Sequence, residues 1–159
     1  MTEFGALLAA LNRAQISYVV IGGLAVGANG YVRATRDLDV LVPADAETMS
    51  RLRTLLAGLE GTLPDGSPLP DELFDGEHHV RATTVHGLLD VLPEGESELS
   101  YESVAEGAIE AEIDGTPTKV AGLKQLVLMK RLSGRPQDLE DIRRLEIAHG
   151  TLPEIGPDS

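Results

Sequence analysis

Val19-Val20-Ile21-Gly22-Gly23-Leu24-Ala25 and, after a short glycine-bearing stretch, Arg33-Ala34-Thr35-Arg36-Asp37-Leu38-Asp39-Val40-Leu41-Val42 decide how this chain is read. They describe an apolar strand, a glycine turn into a short helix, and a second apolar strand that opens with two carboxylates. Successive strand side chains point to opposite faces, so Asp37 and Asp39 project together while Leu38, Val40 and Val42 turn to the core. Two anions held side by side on a rigid element favour a divalent cation between them.

The neighbouring residues narrow the choice. An EF-hand loop needs oxygen ligands at alternate positions, a glycine at the sixth and a glutamate at the twelfth, whereas the chain after Asp39 is apolar. Gly22, Gly23, Gly27 and Gly30 do not form G-x-G-x-x-G, and no lysine followed by Ser or Thr closes a P-loop pattern. What remains at Gly22 and Gly23 is a turn whose missing side chains let backbone amides approach a phosphate. The helix that follows adds partial positive charge.

The wording Ile21-Gly22-Gly23-x-Ala25 with Arg33-x-Thr35-x-Asp37-x-Asp39-Val40-Leu41-Val42 resembles the nucleotidyltransferase superfamily of the DNA polymerase beta type. Within it, the stretch is similar to small bacterial members that include aminoglycoside adenylyltransferases and AbiEii-type toxin enzymes. The specific part covers residues 18–42, and weaker patches lie near Asp90 and at 119–145. The resemblance implies an α/β (α+β) nucleotidyltransferase fold, a small mixed sheet flanked by helices with further helices at the C-terminal end. It also departs from the pattern, because Gly23 stands where many relatives have serine and the gap to Asp37 is longer than in polymerases.

Such enzymes carry a third carboxylate on a strand beside the Asp-x-Asp strand. Asp90 is the candidate, in His86-Gly-Leu-Leu-Asp90-Val-Leu-Pro93, an apolar run long enough for a buried strand and ended by proline. A charge inside such a run is costly unless it is paired or ligates a metal. The resemblance implies Asp37, Asp39 and Asp90 as catalytic and metal-holding residues for Mg2+ or Mn2+. It implies Gly22, Gly23, Arg33, Arg36 and Lys130 as nucleotide-binding residues. Leu123, Leu126, Val127 and Lys130 fall at helical spacing, which puts Lys130 on the apolar side of its helix, aimed at an anion or snorkelling out to water. Arg135, Pro136 and Asp138 read as the start of the last helix.

The composition suits one compact enzyme. At 159 residues and 42% hydrophobic, residues 1–150 are expected to form a single domain, with 151–159 a frayed tail. There is no cysteine, so disulfides, thiol catalysis and thiolate zinc sites are excluded. No apolar run approaches the ~18 residues of a membrane span and Met1-Thr-Glu-Phe4 lacks a basic leader, so a cytoplasmic location is expected. Adjacent His78 and His79 point to opposite faces of a strand, which argues against a shared zinc with His86 and leaves one of them free to face the site from beside Asp90.

The coarse order is a helix over 3–15, a strand to Ile21, a short helix, a strand over 37–42 and a helix from the cap Asp45 to Leu59. A loop spans 61–77, long enough to be functional or mobile. Strands over 78–84 and 88–92, a hairpin through Asp114-Gly115 and two helices ending at Gly150 complete it. The function expected is metal-dependent transfer of a nucleoside monophosphate from an NTP to an acceptor hydroxyl, on RNA, tRNA or protein in a toxin-like enzyme or on a small molecule. A non-catalytic nucleotide sensor or partner-binding module is the alternative. The formal charge of −13 repels an extended polyanion and favours a small, cationic acceptor. A toxin-like role would bring an antitoxin-like partner.

Overall fold

The computed structural model describes residues 2–93 and 99–150. The expected tail over 151–159 lies outside them. The chain builds a six-stranded mixed sheet in the order β3-β4-β2-β1-β6-β5, with helices packed against it. The strands are β1 (Val19–Ile21), β2 (Asp37–Val42), β3 (Val80–Thr84), β4 (Gly87–Pro93), β5 (Ile109–Ile113) and β6 (Thr116–Val120). The helices are α1 (Phe4–Arg13), α2 (Gly22–Ala28), α3 (Ala46–Gly58), α4 (Tyr101–Glu106), α5 (Leu123–Ser133) and α6 (Pro136–His149).

Two parallel pairings, β1 with β6 and β2 with β4, alternate with antiparallel ones, β1 with β2, β3 with β4 and β5 with β6. The central strands are rich in buried apolar side chains: Val19, Val20, Val40, Val42 and Val91 have no exposed surface. Leu7, Leu8 and Leu11 of α1, Leu52 and Leu56 of α3, and Leu126, Val127 and Leu145 of the last two helices close the core. Each such burial is worth about 1.5–3 kcal/mol. Among the described residues no helix is long and apolar enough to cross a membrane.

Local chemistry ends the elements where they end. The Asp45 side chain accepts the Thr48 amide at the start of α3, and Ser100 does the same for Ser103 in α4. Pro136 opens α6, where the Arg135 amide donates to Asp138, and Gly134 closes α5 in the left-handed conformation.

The structure differs from the sequence reading in two places. Helix α4, six residues after a serine cap, is too short to show a periodicity. The stretch 61–77 is anchored rather than plain loop: Thr62 bridges both Pro68 and Thr83, and Asp71–Phe74 forms a 3-10 turn that buries Phe74 under the Arg53 guanidinium. It runs along the outer edge of β3, and none of its residues lines the pocket described next.

Candidate active site

The register of β2 and β4 sets the site. Asp39 pairs directly with Asp90 across the parallel ladder and Asp37 lies two residues earlier on the same face. Carboxylate oxygens of Asp37, Asp39 and Asp90 lie within 4.8 Å of one another, the one acidic or histidine cluster of this kind among the described residues. Asp90 is buried at 5% exposure, while the other two are half-buried.

Three carboxyls this close cannot all be comfortably charged. Burial, reinforced by the nearby Asp90 and Asp37 carboxylates, pushes Asp39 up to about 7, and Asp39 hydrogen-bonds Asp90. Burial also works against ionisation of Asp90, but contacts with His79, Asp39 and Arg81 outweigh it and hold that carboxyl below its ordinary value. A partly buried trio of hard oxygen donors, in which burial and the neighbouring carboxylates disfavour charge on Asp39, fits a divalent cation of the magnesium or manganese type.

Gly22 and Gly23 sit beside the trio for a steric reason. Gly22 has φ +70° and a Cβ there would lie 2.8 Å from Asp39 Cγ; a Cβ on Gly23 would lie 2.9 Å from Thr35 Oγ1. The pair lets the start of α2 lie directly against the Asp39 carboxyl and the 33–35 segment.

Lys130 neither reaches water nor stands free. It is buried at 7% exposure and its Nζ lies 3.1 Å from Asp138 Oδ1 and 3.0 Å from Asp141 Oδ2. Asp141, with no exposed surface, also takes both forks of Arg33, Nε at 2.9 Å and Nη2 at 3.0 Å, and a hydrogen bond from Gln137. Asp138 accepts from the Arg135 side chain as well, and despite its burial these cations pull its carboxyl down to about 2. In the sequence Asp138 reads as the end of an Arg-x-x-Asp stretch after Lys130, of the kind that similar enzymes carry, or as part of the helix start, and Asp141 stands out in no pattern. Their spacing of three on α6 places both on the face toward Lys130, a signal that periodicity alone carries only once α5 and α6 are known to pack. Arg36, in contrast, is exposed on the pocket wall.

The three other sequence-flagged side chains separate. His78 pairs with Asp75 and His86 with Glu3, both away from the trio, while His79 contacts Asp90 Oδ1. Arg81, whose backbone pairs with Asp90, adds Nη2 at 3.3 Å from Oδ2. Arg81 lies in no motif of the sequence.

The trio, the glycine turn, Arg33, His79, Arg81, Lys130 and Asp138 line one pocket of about 680 Å³, the scale of a nucleotide-sized ligand. Its lining combines polar groups, Gly22, Gly23, Arg33, Arg36, Asp37, Asp39 and Asp90 among them, with the apolar Leu92, Leu99, Leu126 and Met129.

Comparison with known proteins agrees with the architecture. The model of a family described as nucleotidyltransferase of unknown function, DUF6036, matches residues 3–151. A search of curated proteins finds no match. Among solved structures, the antibiotic-resistance factor ANT(2'')-Ia superposes with a TM-score of 0.63 at 19% identity, over 92% of this chain and 82% of that one. The lincosamide antibiotic adenylyltransferase LnuA, solved with lincomycin bound, gives 0.58 at 15% identity over 90% and 94%. An antigenic nucleotidyltransferase-like protein from Paracoccidioides brasiliensis gives 0.57 at 20% identity over 88% and 70%. At these identities the likeness is one of fold.

Proposed function

This chain belongs to the DUF6036 nucleotidyltransferase family, and we propose that its pocket transfers a nucleoside monophosphate from an NTP to an acceptor hydroxyl with the help of a divalent cation. The observation that carries the proposal is the convergence of Asp37, Asp39 and Asp90 at the floor of a pocket that also holds the glycine turn and a set of cations.

Asp37, Asp39 and Asp90 would hold Mg2+ or Mn2+. That ion, when bound, neutralises triphosphate charge and makes the α-phosphorus more electrophilic. The residues themselves do the remaining work. The Gly22–Gly23 turn brings backbone close to the phosphates. Arg33 and Lys130, fixed by Asp141 and Asp138, supply positive charge that costs no reorganisation as the transition state forms. Arg36, exposed on the wall, has donors to spare for the triphosphate. Asp90 accepts the hydrogen bond of the acceptor hydroxyl and takes its proton as the new bond from oxygen to α-phosphorus forms and pyrophosphate leaves.

The toxin-like setting and a neutralising partner rest on motif resemblance; growth arrest on expression that Asp39→Ala abolishes would support them. The transfer itself is tested by incubating the protein with Mg2+ and each of the four NTPs labelled at the α-phosphate, with candidate acceptors. Label should move to acceptor with release of pyrophosphate for one NTP, and Asp90→Asn should abolish it. Binding of an NTP with no turnover in any acceptor mixture would favour a nucleotide sensor instead.

A further inference from the structure

Asp90 has two flanks. On one, across β2, stands Asp39; on the other, across β3, stand Arg81 and His79. Strand β3 is the edge of the sheet, so the second flank is the outer wall of the pocket. The two side chains there are 58% and 46% exposed although each touches an Asp90 oxygen.

Arg81 spends one of its five N–H donors on Asp90, and the rest of a planar fork suited to bidentate anion binding remains available. The glycine turn, after β1, meets the trio from the Asp39 side, whereas Arg81 and His79 meet it from the opposite side of Asp90. A triphosphate lodged at that turn, beside Arg33 and Lys130, leaves these groups to a different ligand.

The described lining residues carry four carboxylates. Asp37, Asp39 and Asp90 form the trio, and Asp138 is tied to Lys130 and Arg135. Among the described lining residues none remains to receive an ammonium group, and a polycationic acceptor would meet Arg81 instead. We propose that Arg81 and His79 form a subsite for a phosphate carried by the acceptor beside its reacting hydroxyl. This deepens the nucleotidyl-transfer reading and rests on it. The charge of −13 disfavours a long polyanion, so recognition is confined to the phosphate nearest the hydroxyl, on a phosphorylated small sugar or at the end of an RNA strand.

The test uses the full chain loaded with Mg2+ and the α,β-methylene analogues of the four NTPs, which bind without transferring. Four probes are titrated calorimetrically: ribose 5-phosphate, a ribodinucleoside monophosphate with a free 3′ hydroxyl, ribose, and tobramycin. At least one phosphate probe should bind ten times or more tightly than ribose and tobramycin. Arg81→Gln and His79→Gln should each weaken that binding about tenfold or more, Arg81→Lys should restore part of it, and any loss of analogue affinity should be clearly smaller than the loss of phosphate-probe affinity. The two variants check one another if one of them fails to fold.

Preference for the dinucleotide would assign the RNA end as source, and preference for ribose 5-phosphate a small molecule. Failure of both phosphate probes, binding indifferent to Arg81→Gln and His79→Gln, or an equal loss of analogue affinity would overturn the subsite. If wild type ignores the analogues while phosphate binding still depends on Arg81, the transfer reading fails and the anion subsite stands.

Discussion

Gly22 and Asp39 occupy one another's space: the Asp39 carboxyl fills the room that a side chain at position 22 would take, and a Cβ there would lie 2.8 Å from Cγ. The glycine turn and the Asp-x-Asp strand are therefore one device, in which the start of α2 is allowed to touch the Asp39 carboxyl.

Gly22→Ala should accordingly destabilise the fold twice, through the left-handed φ of +70° and through the clash. The backbone alone costs about 1–2 kcal/mol. At this chain length each kcal/mol lowers the melting temperature by about 2–4 °C. The double variant Gly22→Ala/Asp39→Gly should regain the clash component but not ligand binding. Equal melting of single and double variants would show that Asp39 is not what the alanine meets.

The Asp39 carboxyl makes the metal-free protein pH-sensitive. It titrates near 3.8 when unfolded and about 7 when folded, so between these values the folded state binds more protons. Its contribution to stability is full below about pH 4 and is lost as pH rises through about 7. Because a metal needs the ionised form, the stabilisation added by Mg2+ should grow over the same interval. Urea unfolding at several pH values, with and without Mg2+, reads both trends. Asp39→Asn should flatten the first, and an unchanged slope in that variant would rule out this assignment.

Asp141 is the anchor of two site cations. Asp141→Ala removes one of the two carboxylates paired with buried Lys130 and the bidentate partner of partly buried Arg33, and loss of one partner from a buried pair costs about 3–5 kcal/mol. Glu140, one position earlier and facing solvent with Arg143 and Arg144, provides the contrast. Glu140→Gln should leave the urea midpoint where it is. Equal effects of the two substitutions would contradict the buried network.

What the sequence could show follows from the range of each signal. The shared face of Asp37 and Asp39 comes from strand alternation, a local property, and Asp90 stands out as a charge within an apolar run. The mixed α/β order, the Asp45 cap and the Asp114-Gly115 hairpin are likewise local. Lys130 was legible as inward-facing, but its partners on α6 depend on how two helices pack, and no spacing within α5 reveals that. The anchoring of 61–77 depends on the Thr62–Thr83 bridge, a pairing between segments of which one looks irregular. Arg81 is an ordinary strand residue until β3 is laid beside Asp90.

Metal-dependent nucleotidyl transfer requires the carboxylate trio to bind a metal-nucleotide complex. Thermal unfolding of wild type and Asp37→Asn/Asp39→Asn, with each NTP in the presence and absence of Mg2+, measures this directly. A ligand at a hundred times its dissociation constant adds about 2.7 kcal/mol. The account predicts a Mg2+-dependent rise in melting temperature for at least one NTP that disappears in the double variant. A rise that is independent of Mg2+, or that survives loss of both carboxylates, would contradict it.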